Sequence, residues 1–113
     1  MSAAIPPISG LSDRVQLQRC ELAPEAEGGH GATFVPIATL WARVTPVGAR
    51  ETQTADGRSV SVSHTVVLRH RNDVRAGDRF VYRGRHLDVV SAEDVSGRKR
   101  FLGCRCAETQ VVG

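Results

Sequence analysis

Residues 66–90, with the sequence VVLRHRNDVRAGDRFVYRGRHLDVV, decide the fold class of this chain. Apolar side chains recur at every second position in three short runs, and turn-forming residues separate the runs. Alternation with a period of two, bounded by Gly and Asp, is typical of consecutive antiparallel strands. The segment Val74–Asp78 leads into a predicted strand at Arg79–Tyr82. The next two residues, Arg83-Gly84, form a turn, because glycine adopts positive φ at little steric cost. The stretch therefore predicts an all-β fold.

The rest of the chain carries similar, shorter patterns on either side of this stretch. Together they predict six strands, in chain order Arg14–Leu22, Phe34–Val44, Val60–Arg71, Arg79–Tyr82, Arg85–Val90 and Lys99–Ala107. Six short strands with turn signals between them are typical of a small barrel or sandwich. We therefore expect a small single-domain β-barrel of about six strands.

The segments outside these strands divide the chain into an N-terminal arm, a barrel domain with two loops, and a tail. Residues 1–10 contain two prolines and no periodicity, which predicts an extended N-terminal arm. Residues 11–108 form the predicted barrel domain, and residues 109–113 form a tail. Glycine and acidic residues predict a loop at 23–31. Residues 46–59, PVGARETQTADGRS, lack strand alternation and predict one long polar loop, of the kind that is usually functional or mobile in small domains.

Length and composition limit the classes of protein that fit. A chain of 113 residues with 41% apolar content suits one folded domain with a small core. Aromatic residues make up 4%, too few for a platform that stacks single-stranded nucleic acid. The sequence has no run long enough to span a bilayer and no signal peptide. We therefore expect synthesis in the cytoplasm and three reduced cysteines rather than disulfides.

The cysteine, histidine and carboxylate side chains do not form the pattern of an active site. Cys104 and Cys106 share one strand face with Leu102 and lack the spacing and second ligand pair of a zinc site, so we expect them to be buried. His64 is in phase with apolar neighbours, which predicts a buried structural histidine. The scattered carboxylates and the glycine-rich segment 28–31 match no acid–base or phosphate-binding motif. The sequence predicts a protein that is not an enzyme and has no catalytic residue, cofactor or metal.

Two features favour a role in binding. The arginines between residues 69 and 85 could line a surface that faces DNA, although a solvated outer strand face is the simpler explanation. Trp41 is out of phase with Leu40 and Ala42, so it should lie on the outer face, and large aromatic side chains are enriched at interfaces. Short strand edges and an extended arm also suit the joining of identical copies.

Several segments, taken in order, resemble the head–tail joining proteins, also called head-closure or stopper proteins, of tailed phages and phage-like gene transfer agents. The segments are LSDRVQLQR at residue 11, ATLWARVTPVGARE at residue 38 and VSHTVVLRHRNDVRAGDRFVYRGRHLDVVSAEDVSGRKRFLGCRC at residue 62. The resemblance extends from Leu11 to Glu108 and depends on the order and spacing of the segments. The arm is longer than is usual in this family, and the loop after Pro46 has fewer apolar anchors.

The resemblance implies a structural protein of the virion neck, made in the bacterial cytoplasm, that forms a ring below the portal and its adaptor. Such a ring closes the DNA channel and provides the platform for the tail. The implied partners are further copies of the chain (a hexamer, alternatively a dodecamer), the head–tail adaptor protein and the tail terminator or tail tube. Packaged double-stranded DNA would be contacted without sequence preference, and no membrane is involved.

Within this interpretation the long loop is the expected channel gate, with Arg50, Glu51 and Arg58 as its charged tips. The gate residues are Gly48, Ala49, Arg50, Glu51, Thr52, Gln53, Thr54, Asp56 and Arg58. The expected interface residues are Trp41 and, in the arm, Pro6, Pro7 and Ile8. Two alternatives stay open: a tail terminator ring of similar size, and a free-standing small-barrel module that binds nucleic acid as a monomer.

Overall fold

A computed structural model describes residues 10–24, 30–53 and 59–109. They form six strands: β1 Asp13–Pro24, β2 His30–Gln53, β3 Ser59–Arg69, β4 Arg79–Tyr82, β5 Arg85–Asp94 and β6 Phe101–Thr109. The predicted all-β class with six strands is confirmed. Within the described ranges, no helix has the length and apolar character needed to cross a membrane.

The strands close into an antiparallel barrel in the order β1-β2-β3-β6-β5-β4. Two meanders, β1-β2-β3 and β4-β5-β6, are therefore joined side by side through β3 and β6 and again through β1 and β4. The β1–β4 seam has only three residue pairs, Gln16↔Val81, Leu17↔Phe80 and Gln18↔Arg79. The connection between β3 and β4 carries the chain from one meander to the other.

The core consists of the side chains that alternate toward the barrel interior. Phe80, Leu17 and Leu87 are fully buried near its middle. The other buried members are Val15, Ala42, Val66, Leu68, Val74, Val89, Leu102, Cys104 and Cys106. His64 is 7% exposed on the inner face of β3, and the two cysteines are buried, as their phase in the sequence predicts.

Two turns in the stretch 66–90 have the geometry that their sequence requires. Arg83 and Gly84 have φ of 50° and 77°, and positive values at both positions suit the two-residue turn that matches the twist of a β4–β5 hairpin. Gly77 has φ of 97° in a four-residue turn closed by the hydrogen bond from Asp78 N–H to the Arg75 carbonyl, at 3.1 Å. The predicted turns are confirmed.

The prediction of a long loop over residues 46–59 is wrong for most of its length, because residues 46–53 belong to β2. Pro46 pairs with His64, and the pairs Arg50↔Val62 through Gln53↔Ser59 continue the hairpin after an irregularity between Pro46 and Arg50. The expected loop at 23–31 is also shorter, since Ala23 pairs with Gly31. Backbone pairing with a neighbouring strand does not need apolar alternation, so the sequence pattern underestimates both hairpins.

These hairpins extend β2 beyond the barrel at both ends. The β1–β2 ribbon comprises residues 19–24 and 30–35, and the β2–β3 ribbon comprises residues 46–53 and 59–63. A register shift between Leu17 and Gln18 lies beside Pro36. Pro36 cannot donate a backbone hydrogen bond, so a bulge is a position where it is tolerated.

Gly103 on β6 lies under Val95 from the β5–β6 connection. A Cβ added at Gly103 would be 2.5 Å from Val95 Cγ1, whereas a Cβ at Gly48 would meet no atom within 4 Å. We predict that Gly103→Ala lowers the free energy of unfolding by about 1–3 kcal/mol, because the added methyl overpacks this contact. Gly48→Ala is the matched control and should change stability little. Chemical denaturation of both variants measures the difference, and equal stability would contradict the packing argument.

Candidate functional site

The β2–β3 ribbon continues beyond the β3–β6 pairing. β3 pairs with β6 only from His64 onward. Residues 59–63 therefore have β2 as their single strand partner among the described residues. Five residues at about 3.3 Å each extend the ribbon roughly 16 Å past the last β3–β6 pair. The segment is a two-stranded arm attached to a closed barrel.

The base of this ribbon is anchored in the core. Val62 and His64 are 4% and 7% exposed on the inner face of β3. Between them, Ser63 Oγ accepts a hydrogen bond from Glu108 N–H at 2.8 Å and lies 2.9 Å from His64 Nδ1. Glu108 Oε1 is 4.0 Å from the same ring nitrogen. The ribbon is thus held to β6 at its base, and His64 has a structural environment.

The predicted gate residues fall into three groups along this ribbon. Gly48 and Ala49 lie in the irregular segment opposite Ser63, between the pairs Pro46↔His64 and Arg50↔Val62. Arg50, Glu51, Thr52 and Gln53 occupy paired positions on β2. Thr54, Asp56 and Arg58 are outside the described residues. The sequence predicts Arg50 and Glu51 at the tip of the loop. In the structure they lie three and two residue pairs before the last described pair of the ribbon, Gln53↔Ser59.

Arginines of the stretch 69–85 are engaged by neighbouring side chains. Arg79 Nε donates to Asp88 Oδ1 at 2.7 Å, and its guanidinium lies 3.6 Å from the centroid of the Phe34 ring. Arg71 binds both carboxylate oxygens of Asp73, at 2.9 and 2.8 Å. These contacts fit an outer strand face with local ion pairs, which is the simpler of the two interpretations drawn from the sequence.

Trp41 lies on the outer face of β2, as predicted, and is 53% exposed. The guanidinium of Arg14, opposite it on β1, is 4.5 Å from the ring centroid. Beside the indole, a groove of about 780 Å³ runs across the end of the barrel where β3 finishes. We name it the Trp41 groove. Its lining residues are Leu11, Ser12, Thr39, Leu40, Trp41, Leu68, Arg69, His70 and Arg71. The other predicted interface residues, Pro6, Pro7 and Ile8, lie outside the described residues.

The connections beside the groove are held by two aspartates. Asp94 Oδ1 accepts hydrogen bonds from Ser96 Oγ at 2.7 Å and Ser96 N–H at 3.0 Å, and Oδ2 accepts one from Lys99 N–H at 2.7 Å. The hydrogen bond from Ser96, followed by that from Lys99, lowers the pKa of Asp94. The hydrogen bonds from Arg71 lower the pKa of Asp73 in the same way. The adjacent His70 N–H donates to the Arg100 carbonyl at 2.9 Å, which ties the two connections together.

The two buried cysteines, Cys104 and Cys106, have little chemical reactivity in this setting. Burial, with a smaller contribution from the charge of Asp78, raises the pKa of Cys104 to about 12. Burial also raises the pKa of Cys106. Both are therefore thiols at neutral pH, and thiols are poor nucleophiles and poor metal ligands. In the described ranges, no three His, Cys, Asp or Glu side chains are grouped as a metal site would require.

Sequence reasoning missed the Trp41 groove and the carboxylate network at Asp94. The segment DVSGR signals a turn, yet the count of hydrogen bonds that converge on one carboxylate depends on the folded backbone. The groove combines residues from the start of β1, the middle of β2 and the end of β3. No local pattern indicates that these three segments meet.

The chain matches one family model, and its fold recurs in solved structures. The family model described as phage head completion protein matches residues 6–109. A chain in the virion of a native gene transfer agent particle shares the fold with a TM-score of 0.63 and 20% identity, over 88% of this chain and 94% of that chain. Protein SF1141 from Shigella flexneri 2a does so with a TM-score of 0.62 and 23% identity, over 88% and 96%. No curated protein matches the sequence.

The lowered pKa values of Asp73 and Asp94 predict an acid-sensitive barrel end. The folded chain stabilises the ionised form of each carboxylate. Its contribution to the free energy of unfolding is therefore complete above the ordinary aspartate pKa of about 3.9, and it is lost as the pH falls through the lower pKa of the folded state. The variant Asp73→Asn/Asp94→Asn should therefore lose less unfolding free energy than the wild type between neutral and acidic pH. Glu93→Gln, an exposed position on β5, is the control. Denaturation at stepped pH measures this, and parallel curves for all three proteins would contradict it.

Proposed function

The chain belongs to the family of phage head completion proteins, and we propose that within this family it acts as a stopper, a ring in the particle neck that closes the DNA channel. Family membership makes it a structural component of a phage or phage-like particle. The proposal adds a position, below the adaptor on the portal and above the tail, and a task, the retention of packaged DNA. The observation that carries it is the β2–β3 ribbon.

The ribbon has the mechanical properties that a gate needs. Its base is fixed by Val62 and His64 in the core, while residues 59–63 have one strand partner in the described part of the chain. A two-stranded ribbon is marginally stable on its own. It therefore opens locally at low free-energy cost while the barrel stays intact. Several such ribbons directed into the lumen of a ring would obstruct DNA and could later move aside.

The polar composition of the ribbon fits a part that obstructs DNA without reading its bases. In the segment from Gly48 to Ser59 the charges of Arg50 and Arg58 are balanced by Glu51 and Asp56, and no aromatic side chain is present that would stack on bases. Arginine contacts to phosphate carry no sequence information and weaken steeply with salt. DNA in the channel would thus be held without sequence preference.

The remaining partners follow from the position in the neck. Copies of the chain would form a hexamer, or alternatively a dodecamer, with the head–tail adaptor protein on one side and the tail terminator or tail tube on the other. Electron cryo-microscopy of the intact neck tests this arrangement. A ring of this chain between adaptor and tail, with the β2–β3 ribbon inward, is expected. A ring at the first level of the tail would instead favour the tail terminator, and absence from the particle would favour the separate nucleic-acid-binding module.

We predict that shortening the ribbon releases DNA from assembled particles. Replacing residues 51–61 with Asn-Gly removes residues from both strands, keeps the pair Arg50↔Val62 at the new turn and uses residues that favour a tight hairpin. Deleting residues 49–57 alone is a poorer test, because it leaves Ser59–Val62 without their partners on β2. Particles that carry the Asn-Gly replacement should assemble, but their DNA should become accessible to added nuclease.

A variant that keeps the full length of the ribbon but lacks its arginine charges shows whether DNA is retained by steric obstruction or by electrostatic attraction. Arg50→Gln/Arg58→Gln keeps the ribbon and should keep the DNA protected, because the ribbon still blocks the lumen. Thermal unfolding of both proteins checks that the barrel is intact. Full DNA retention by particles that carry the shortened ribbon would overturn the gate assignment.

A further inference from the structure

The outer surface of β2, β3 and β6 carries three exposed arginines. Arg43, Arg69 and Arg105 occupy positions whose neighbours along each strand point toward the core. The pairs Arg43↔Val67 and Thr65↔Arg105 place them around Val67 on three adjacent strands. At about 3.3 Å per residue and 4.8 Å per strand, their Cα atoms are roughly 8–14 Å apart. The three arginines therefore share one side of the barrel.

The loop before β6 adds three more cations to this side. Residues 98–100, Arg-Lys-Arg, are consecutive and exposed. Ser96 Oγ accepts hydrogen bonds from the N–H groups of Arg98 and Arg100, at 3.4 and 3.0 Å, so the loop backbone is fixed from within. Arg69 pairs with the residue that follows Arg100, which joins the loop to the sheet. We name the resulting surface the basic face; it consists of Arg43, Arg69, Arg98, Lys99, Arg100 and Arg105.

The basic face holds more positive charge than the fold itself uses. Among the described residues, no carboxylate oxygen lies within 4.0 Å of any of its six cationic groups. Two carboxylates lie beside it on β5: Glu93 pairs with Gly103, and Asp94 accepts hydrogen bonds from N–H groups of the loop. Six cations and two carboxylates leave an excess of four, which exceeds the net charge of +3 of the whole chain. An occupant of this face must therefore supply negative charge.

The composition of the basic face favours the phosphate backbone of DNA over a protein segment. Thr45 and Thr65 form the pair beside Arg105 and place two hydroxyl groups among the arginines. Arginine and threonine side chains are typical phosphate contacts. A protein interface has an apolar centre, and the only apolar side chain between the three arginines of the sheet is the half-buried Val67.

The strands that carry the basic face also lead into the proposed gate. The pair Thr45↔Thr65 is followed by Pro46↔His64, where the β2–β3 ribbon begins. A ribbon that enters the lumen of a ring brings the adjoining outer surface of β2 and β3 to the channel wall. Because the charges of the ribbon are balanced, electrostatic attraction for DNA must come from this wall.

We propose that the basic face binds the phosphate backbone of duplex DNA and lines the channel beside the gate. The ribbon obstructs the DNA, and the face holds it by charge. Contacts of this kind release counterions, so binding is independent of sequence and weakens with salt. The placement in the channel rests on the proposed stopper role, whereas the binding is a property of the single chain and is measured on it.

Fluorescence anisotropy of a labelled duplex of about 20 bp measures binding to the full chain in solution. Two duplexes of unrelated sequence should bind alike, with a Kd between about 1 and 100 μM at physiological salt. The face variant Arg43→Gln/Arg69→Gln/Arg105→Gln should raise the Kd at least about tenfold. The slope of log K against log salt should become shallower by about 2–3, because each lost phosphate contact contributes about 0.9.

The matched control removes the same charge elsewhere on the barrel. Arg75→Gln/Arg83→Gln/Arg85→Gln changes three exposed arginines of the turn before β4 and of the β4–β5 hairpin, and it should change the Kd less than about threefold. Circular dichroism and thermal unfolding check that both variants are folded. Equal losses with both variants, or no binding of the wild type up to about 1 mM, would overturn the proposal. Tighter binding of a poly-glutamate chain than of the duplex, lost in the face variant, would assign the face to an acidic protein instead.

Lys99 is the only lysine of the chain and reports contact without a change of charge. Reductive methylation with ¹³C-formaldehyde keeps its amine cationic and gives it a dimethylamine resonance separate from that of the α-amino group. Duplex DNA should shift or broaden this resonance at low salt, and about 0.5 M salt should restore it. An unchanged resonance while anisotropy shows saturation would place the DNA elsewhere and overturn the proposal.

This inference and the stopper role fail in different ways. If the chain forms a ring between adaptor and tail but the face and control variants bind DNA equally, the stopper role stands and the basic face is overturned. If DNA binding depends on the basic face but the chain forms the first ring of the tail, the DNA site stands and the stopper role fails.

Discussion

The short seam between β1 and β4 closes the barrel, and the buried carboxylate of Asp78 holds this seam together. Asp78 is 3% exposed and accepts hydrogen bonds from Cys20 N–H on β1, at 3.2 Å, and from Arg75 N–H in the preceding turn, at 3.1 Å. Its own backbone carbonyl accepts from Val89 N–H on β5 at 2.8 Å. One residue therefore connects three elements where only three pairs join the strands. A buried carboxylate is costly unless its hydrogen bonds are made, so the turn, the seam and the sheet depend on one another.

Closure of the barrel determines where the long strand β2 can be paired. Its first half pairs with β1, its second half pairs with β3, and Ala42 in the middle pairs with both. Because the barrel accommodates only the central part, the two ends continue as ribbons with one partner each. A single strand thus contributes to both ribbons, one of which is the proposed gate.

The barrel wall balances part of its own positive charge. On the barrel wall, Arg79 is paired with Asp88 and Arg71 with Asp73, so part of the arginine excess is used within the fold. Surface ion pairs of this kind contribute little stability, typically about 0–1 kcal/mol each, but they fix the orientation of long side chains.

The sequence by itself determined the strand meander and the inner face of the barrel. Val66, Leu68 and His64 alternate toward the interior, and Arg83-Gly84 carries its own turn preference, because these properties depend on near neighbours in the chain. The family resemblance added the expected family, which the family match over residues 6–109 confirms. The Trp41 position was predictable as exposed because it breaks the phase of Leu40 and Ala42.

Only the tertiary structure decided the two ribbons, the Asp78 seam and the Trp41 groove. Residues 46–53 have no apolar alternation, and they form a strand because β3 offers its backbone groups in register. The groove exists because closure brings Leu11, Leu40 and Leu68 together from three strands or their ends. Strand pairing and burial between distant segments depend on which backbones meet, and a local pattern of side chains does not contain that information.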